Sequence, residues 1–306
     1  MTTLTVATCQ FPVDAAIERN CRYVLRQMRT AKQRGADLAH FPEASLSGYA
    51  GADFDDHRGF DWESLESATR SVLRLAAELR LWVVLGSTHR LTGGHSPHNS
   101  LYVIDDAGAV VDRYDKRFCS GDPEGRTGDL AHYTPGDHPV AFTVNGVRCG
   151  TLICYDFRFP ELYREYRRQG VQLVLHSFHA AHLPPGRLAA IREAIGEDVL
   201  PLNTADTYPG ITMPATMTAA AAANHVWISC PNSSARHSCW GAFFVRADGV
   251  TTGRLPRGRT GVLISTVDTG APLYDSTEHW RGRAMEGVLH SGTPVDDPRS
   301  ADRTGL

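Results

Sequence analysis

Leu152-Ile153-Cys154-Tyr155-Asp156-Phe157-Arg158-Phe159-Pro160-Glu161 is the stretch that decides how the rest of the chain is read. An apolar run, Val147 to Ile153, leads into it. Asn145-Gly146, the strongest short hairpin signal in the chain, joins that run to Val140 to Val144. Behind it, Pro160 opens a helix that runs to Gln169. A strand therefore meets a helix through a short turn, with a cysteine at the turn's start. Such a turn exposes a nucleophile. A lone cysteine at the end of an apolar strand is ordinarily an inert core residue, so the context of Cys154 has to decide between the two readings.

Two other segments supply that context. His40-Phe41-Pro42-Glu43 closes the short apolar run Leu38 to Phe41, and Tyr114-Asp115-Lys116-Arg117-Phe118 closes the run Val110 to Tyr114. Alone, Glu43 reads as a solvated loop carboxylate and Asp115-Lys116-Arg117 as a solvated turn. Strand tips are where active-site groups of α/β enzymes converge. A carboxylate, an ammonium and a thiol that meet there form a nucleophile with its activators. Asp156, Arg158 and Glu161 read better as ion-pairing groups that hold the turn.

Outward from these segments the chain alternates helices and strands. Leu4 to Gln10, Trp82 to Ser87, Leu101 to Ile104, Val171 to His176, Val226 to Cys230, Gly241 to Val245 and Val262 to Val267 read as strands. Ala15 to Arg34, Trp62 to Arg80 and Thr216 to Asn224 read as helices, and Gly48 to Phe60 as loop. The pattern predicts a layered α/β protein with a mixed sheet. No repeat and no linker divides it, so one domain is expected. The polar stretch after His290 reads as a tail.

The 306 residues carry 31 Lys plus Arg against 34 Asp plus Glu, a net charge of −3. That near-balance excludes the electrostatic footprint of a general nucleic-acid binder. No stretch approaches the ~20 apolar residues that span a bilayer, so no membrane association is expected. Seven scattered cysteines with no C-x-x-C pair read as reduced thiols. The start, MTTLTVATCQF, shows no signal-peptide pattern, and the expected compartment is the cytoplasm.

With F-P-E at Glu43, Y-x-K at Lys116 and C-Y-D-x-R-F-P-E at Cys154 in this order, the chain resembles the nitrilase superfamily of carbon–nitrogen hydrolases. Thr134-Pro135-Gly136-Asp137 and Ala222-Ala223-Asn224-His225 are weaker matches, and the resemblance spans Leu4 to Asp268. It implies a four-layer α-β-β-α sandwich over residues 1–278, with 279–306 as a tail that packs on a partner protomer. It also implies a homodimer or larger homo-oligomer packed through the helix Pro160 to Gln169. The implied catalytic set is Glu43, Lys116 and Cys154. Glu43 would move protons; Lys116 and the backbone N–H of Tyr155 would stabilise the tetrahedral oxyanion. The helix N-terminus and Lys116 both favour a Cys154 thiolate. No cofactor and no metal are called for, and the partner is a small-molecule substrate.

The implied reaction is hydrolysis of a small amide or N-carbamoyl compound through a thioester. Acyl transfer and nitrile hydrolysis use the same groups, and a non-catalytic interaction protein with the same fold is the reading from another class. Two positions depart from the family. Where relatives carry a second Glu, this chain has Asp129: the loop comes closer, or Glu124 substitutes, or that support weakens. After Val171 to Leu175, relatives often have Asn-Pro, and this chain has His176-Ser177-Phe178-His179-Ala180-Ala181-His182. Three histidines at this spacing invite a zinc reading, but a strand end does not put them on one side. His176, His179 and Tyr49 are therefore expected to line the substrate pocket. Phe54 and Trp240 read equally as pocket or core.

Overall fold

The computed structural model describes residues 2–181, 183 and 185–304. The strands in chain order are β1 (Thr3–Gln10), β2 (Leu38–His40), β3 (Trp82–His89), β4 (His98–Ile104), β5 (Val110–Asp115), β6 (Ala141–Val144), β7 (Val147–Ile153), β8 (Leu173–Ser177), β9 (Trp227–Cys230), β10 (Phe243–Val245), β11 (Thr251–Arg254) and β12 (Gly261–Asp268). They form two six-stranded sheets, ordered β12-β1-β2-β3-β4-β5 and β11-β10-β9-β8-β7-β6. Both are mixed. β1, β2 and β3 pair in parallel, as do β7, β8 and β9, while hairpin partners flank them antiparallel.

Helices α1 (Ile17–Gln33) and α2 (Trp62–Leu79) cover the first sheet; α3 (Pro160–Arg168) and α5 (Tyr208–Asn224) cover the second. Strand alternation builds the layers. On β1, Leu4 and Val6 enter the core shared with the second sheet, and Ala7 and Cys9 enter the core under α1 and α2. This is the expected four-layer α-β-β-α sandwich.

The hairpin predicted at Asn145-Gly146 forms as read: both residues have positive φ, 47° and 78°, and β6 pairs with β7 through Val144 and Val147. Two helices differ from the sequence expectation. α5 begins eight residues earlier than predicted, at Tyr208 rather than Thr216. Pro209 occupies the first turn, where its missing N–H costs nothing, and Pro214 lies inside the helix. The stretch from His179 to Gly210, which reads as mixed, contains α4 (Pro185–Ile195), none of whose described residues is buried. Without an apolar face it leaves no periodic signal. In the tail, α6 (Arg281–Met285) docks on the same chain: Arg281 is buried against Asp275, and Arg168 of α3 donates to the Met285 carbonyl. Among the described residues no helix is long and apolar enough to cross a membrane.

Candidate active site

Three strand ends deliver the three reactive groups. After β2 the chain turns at Pro42-Glu43-Ala44, with Ala44 at φ 52°. β3 runs directly beneath. A Cβ on Gly86 would overlap the Pro42 carbonyl oxygen and lie 2.8 Å from the Ala44 nitrogen. Only glycine lets the strand come this close. Gly86→Ala is expected to displace Glu43 and cut kcat about 100-fold, the usual cost of misplacing a reacting group by ~1 Å. Steady-state rates alongside circular dichroism check this.

Lys116 follows β5. Its N–H donates to the Asn99 carbonyl, and its carbonyl accepts from Gly136 at 2.9 Å. A Cβ on Gly136 would overlap the Asp115 carbonyl oxygen, which gives the Thr134-Pro135-Gly136-Asp137 motif a packing reason.

Cys154 follows β7 directly and starts a short 3-10 turn, Cys154–Arg158, ahead of α3. Its φ of 40° is a conformation that a residue with a Cβ seldom adopts. Asp156 holds the turn. Its carboxylate accepts from the N–H of Ile153 and of Phe118, both at 2.9 Å, and from the Tyr114 hydroxyl at 2.8 Å. The Lys strand and the Cys turn are thereby tied to one carboxyl, and burial pushes that carboxyl up to about 6. It holds the turn through N–H and hydroxyl donors where an ion pair was expected.

The side chains converge. Lys116 Nζ lies 2.7 Å from Glu43 Oε1 and 2.8 Å from Asp129 Oδ2, with all three groups buried. Glu43 Oε1 also accepts from Asn99 Nδ2 at 2.8 Å, and Oε2 accepts from the His179 N–H at 3.0 Å. Glu43 is near enough to Cys154 for its charge to act on the thiol. Asp129 settles the question left by its short side chain. A 3-10 turn, Gly128–Ala131, carries it to Lys116, and it accepts from the Tyr49 hydroxyl and from the Ser120 N–H. Glu124 pairs with Arg126 on the surface instead.

The charge states follow from the surroundings. Burial alone would pull the Lys116 ammonium down, but Asp129 and then Glu43 outweigh it and hold it well above the ordinary lysine range. Burial would likewise raise Asp129, yet Lys116 keeps it below the usual carboxylate value. The thiol goes the other way from the sequence expectation. Burial first, and the Glu43 charge second, push Cys154 well above a free cysteine, and Lys116 does not reverse this. These surroundings favour the neutral thiol over the thiolate. The α3 N-terminus lies past the 3-10 turn, at Phe159.

His176 does not face substrate. It is fully buried, with Nε2–H donating to the Cys154 carbonyl at 3.2 Å and Nδ1 accepting from the Tyr163 hydroxyl at 2.7 Å. It props the nucleophile turn from beneath. Burial lowers its pKa to about 3. A group neutral in the fold but protonated when unfolded supports stability above ~6.5, and that support is lost as pH falls toward 3. His176→Phe is expected to flatten the acid side of the stability–pH curve between these values, by about 1.4 kcal/mol per pH unit. Urea titrations at several pH values read it.

Tyr49 is half-buried and places its hydroxyl on Asp129, with Lys116 Nζ 5.7 Å from its ring centroid. His179 stacks on Tyr49 at 5.1 Å and pairs through Nε2 with Asp53 at 3.1 Å. Burial would lower that imidazole, but Asp53 outweighs it and raises it. Trp240 is buried edge-on to Phe178, and Phe54 packs on His57 and Phe60. His182 of the zinc reading lies outside the described residues, and among those described no three His, Cys, Asp or Glu are grouped to hold a metal.

The sequence did not point to Asn99 or to a buried chain behind Glu43. Ser177 Oγ–H donates to the Phe41 carbonyl at 2.8 Å, so it accepts from His40 Nε2–H at 2.8 Å. His40 Nδ1 then accepts from Ser229 at 2.9 Å, and Ser229 from Thr8 at 2.7 Å. The chain crosses between the sheets and fixes the backbone two residues before Glu43. Burial, then His176, hold His40 well below its ordinary value, so it stays neutral.

A family model described as carbon-nitrogen hydrolase matches residues 5–271. A hydrolase in the agr operon of Staphylococcus lugdunensis is 31% identical over 159 residues, covering 51% of this chain and 62% of that protein. The omega-amidase NIT2 of Bos taurus is 27% identical over 180 residues, covering 58% and 63%. The matched stretch thus spans less than two thirds of either relative's length. An amidase structure from Nesterenkonia sp. superposes with a TM-score of 0.69 at 21% identity, over 94% of this chain and 97% of that one.

Proposed function

Because the chain belongs to the carbon–nitrogen hydrolase family, we propose that it hydrolyses a small amide or N-carbamoyl compound through a thioester on Cys154. The observation that carries this reading is the buried cluster in which one ammonium bridges Glu43 and Asp129, close enough to Cys154 for both Glu43 and Lys116 to act on the thiol. With a neutral resting thiol, Glu43 takes its proton as sulfur attacks the carbonyl carbon. The same carboxyl then protonates the departing amine and afterwards deprotonates the attacking water. Of the three Lys116 N–H donors, two are taken by Glu43 and Asp129. The third, with the Tyr155 N–H, serves the oxyanion.

Ammonia release over a panel of amides, nitriles and carbamoyl amino acids tests the reading, with intact-mass spectrometry to trap an acyl adduct. In a variant of the Nesterenkonia amidase, the acetamide moiety of fluoroacetamide adds to the active-site cysteine, so fluoroacetamide is a suitable probe here. No product and no adduct across the panel would overturn the proposal.

We also propose that the protein assembles at least as a dimer through α3 and α5. Between these helices lies a groove of ≈ 350 Å³ that includes Tyr163 and Ala220. Leu289 and Val295 of the tail are 85% and 70% exposed, apolar surface that a second copy would cover. Light scattering that finds only monomer contradicts this.

A further inference from the structure

A second cavity, ≈ 390 Å³, lies beside the catalytic cluster and is not used by the chemistry above. Arg192, Arg236 and Arg257 line it, and Asp206 is the one carboxylate among its described lining residues. Arg192 is ion-paired with Asp206, which leaves the balance of the lining cationic. Two serines in its wall, Ser234 and Ser238, are 7% and 3% exposed, and neither hydroxyl has a hydrogen-bond partner among the described residues. A buried hydroxyl without a partner is costly. Both hydroxyl oxygens are sealed from the cavity, however, so the arginines are the donors that face it.

The walls are fixed by the end of β1. Gln10 Nε2 donates to the Pro256 and Arg259 carbonyls, which pins the loop that carries Arg257. The Ser234 N–H donates to the Phe11 carbonyl, and the Val13 N–H donates to Ser233 Oγ, which pins the serine loop. The cavity also adjoins the site: the Cys239 N–H donates to the Ala180 carbonyl, one residue after His179, whose own N–H holds Glu43.

We propose that this cavity binds a multiply charged oxyanion, a phosphate-type or polycarboxylate group, through Arg236 and Arg257. The cavity has room for such a group carried on a larger organic anion. That anion is either a separate effector or the distal end of the substrate.

Calorimetry with inorganic pyrophosphate and with inorganic phosphate, at an ionic strength fixed with sodium chloride, tests it. The titrations use Cys154→Ala protein, so the result does not depend on turnover. Saturable one-to-one binding is expected. Arg236→Gln/Arg257→Gln should weaken it at least tenfold. Arg126→Gln, an exposed arginine elsewhere, should leave it unchanged. No saturable binding to either anion, or equal affinity in the double arginine variant, overturns the proposal. A further arm separates the two sources. Pyrophosphate that raises the KM for an amide marks the cavity as the far end of the substrate site, and binding without effect on KM marks a separate ligand; both outcomes keep the oxyanion site.

Discussion

Cys154→Ala is expected to reduce turnover about 10⁶-fold, the order seen when the nucleophile of a catalytic triad is removed, with a melting temperature within about 5 °C of the parent. The two halves of this result have separate causes. Turnover fails because the thiol beside Glu43, which forms the thioester in the proposed reaction, is gone. The fold survives because alanine keeps the Cβ, so the turn at φ 40° carries the same strain as before. The lost thiol is neutral, so no charge is stranded. The turn keeps its other supports, with Asp156 holding Ile153 and Phe118 and His176 holding the Cys154 carbonyl. Fluoroacetamide adduct formation should vanish with turnover. Residual amide hydrolysis above about 1% would mean that another group attacks the carbonyl.

What was legible before the structure depends on where each contact originates. Glu43, Lys116 and Cys154 each end a strand inside a short motif, so sequence alone marks them. Asp129 was legible as a position but not as a contact, because the Gly128–Ala131 turn that delivers it is set by loop packing. Asn99 was not legible at all. It reaches Glu43 across 56 residues through strand pairing, and a lone asparagine in a strand carries no local signal. Of the loop histidines, His179 stacks on Tyr49, while His176 is sealed inside. His176 sits on β8, where the pleat turns it beneath Cys154 instead of toward the cavity. The thiol's charge state was misjudged because it depends on burial and on Glu43, neither of which a motif encodes. The fold read more easily than the site because alternation along β1, β7 and β8 is a local property, while the site is a sum of distant ones.

Lys116→Met is the second large effect, and its signature differs from that of the nucleophile variant. Methionine fills the space of the lysine stem, so packing is preserved and the charge alone is removed. Glu43 and Asp129 are then left buried without the cation between them. Breaking a buried pair in this way typically costs about 3–5 kcal/mol, so the melting temperature should fall clearly, unlike in Cys154→Ala. At neutral pH one carboxyl relieves the repulsion by taking a proton. A protonated Glu43 no longer serves as base, and the oxyanion has lost its strongest donor. Together these should lower kcat by more than about 10³-fold while KM for a small neutral amide changes little. The same logic gives Lys116→Met/Asp129→Asn as the compensating double variant. Removing the second charge should recover much of the lost stability, yet kcat should stay low because the oxyanion donor is still missing. Stability recovered together with rate would show that Lys116 acts only by holding Glu43, and an unchanged kcat in Lys116→Met would remove it from the chemistry.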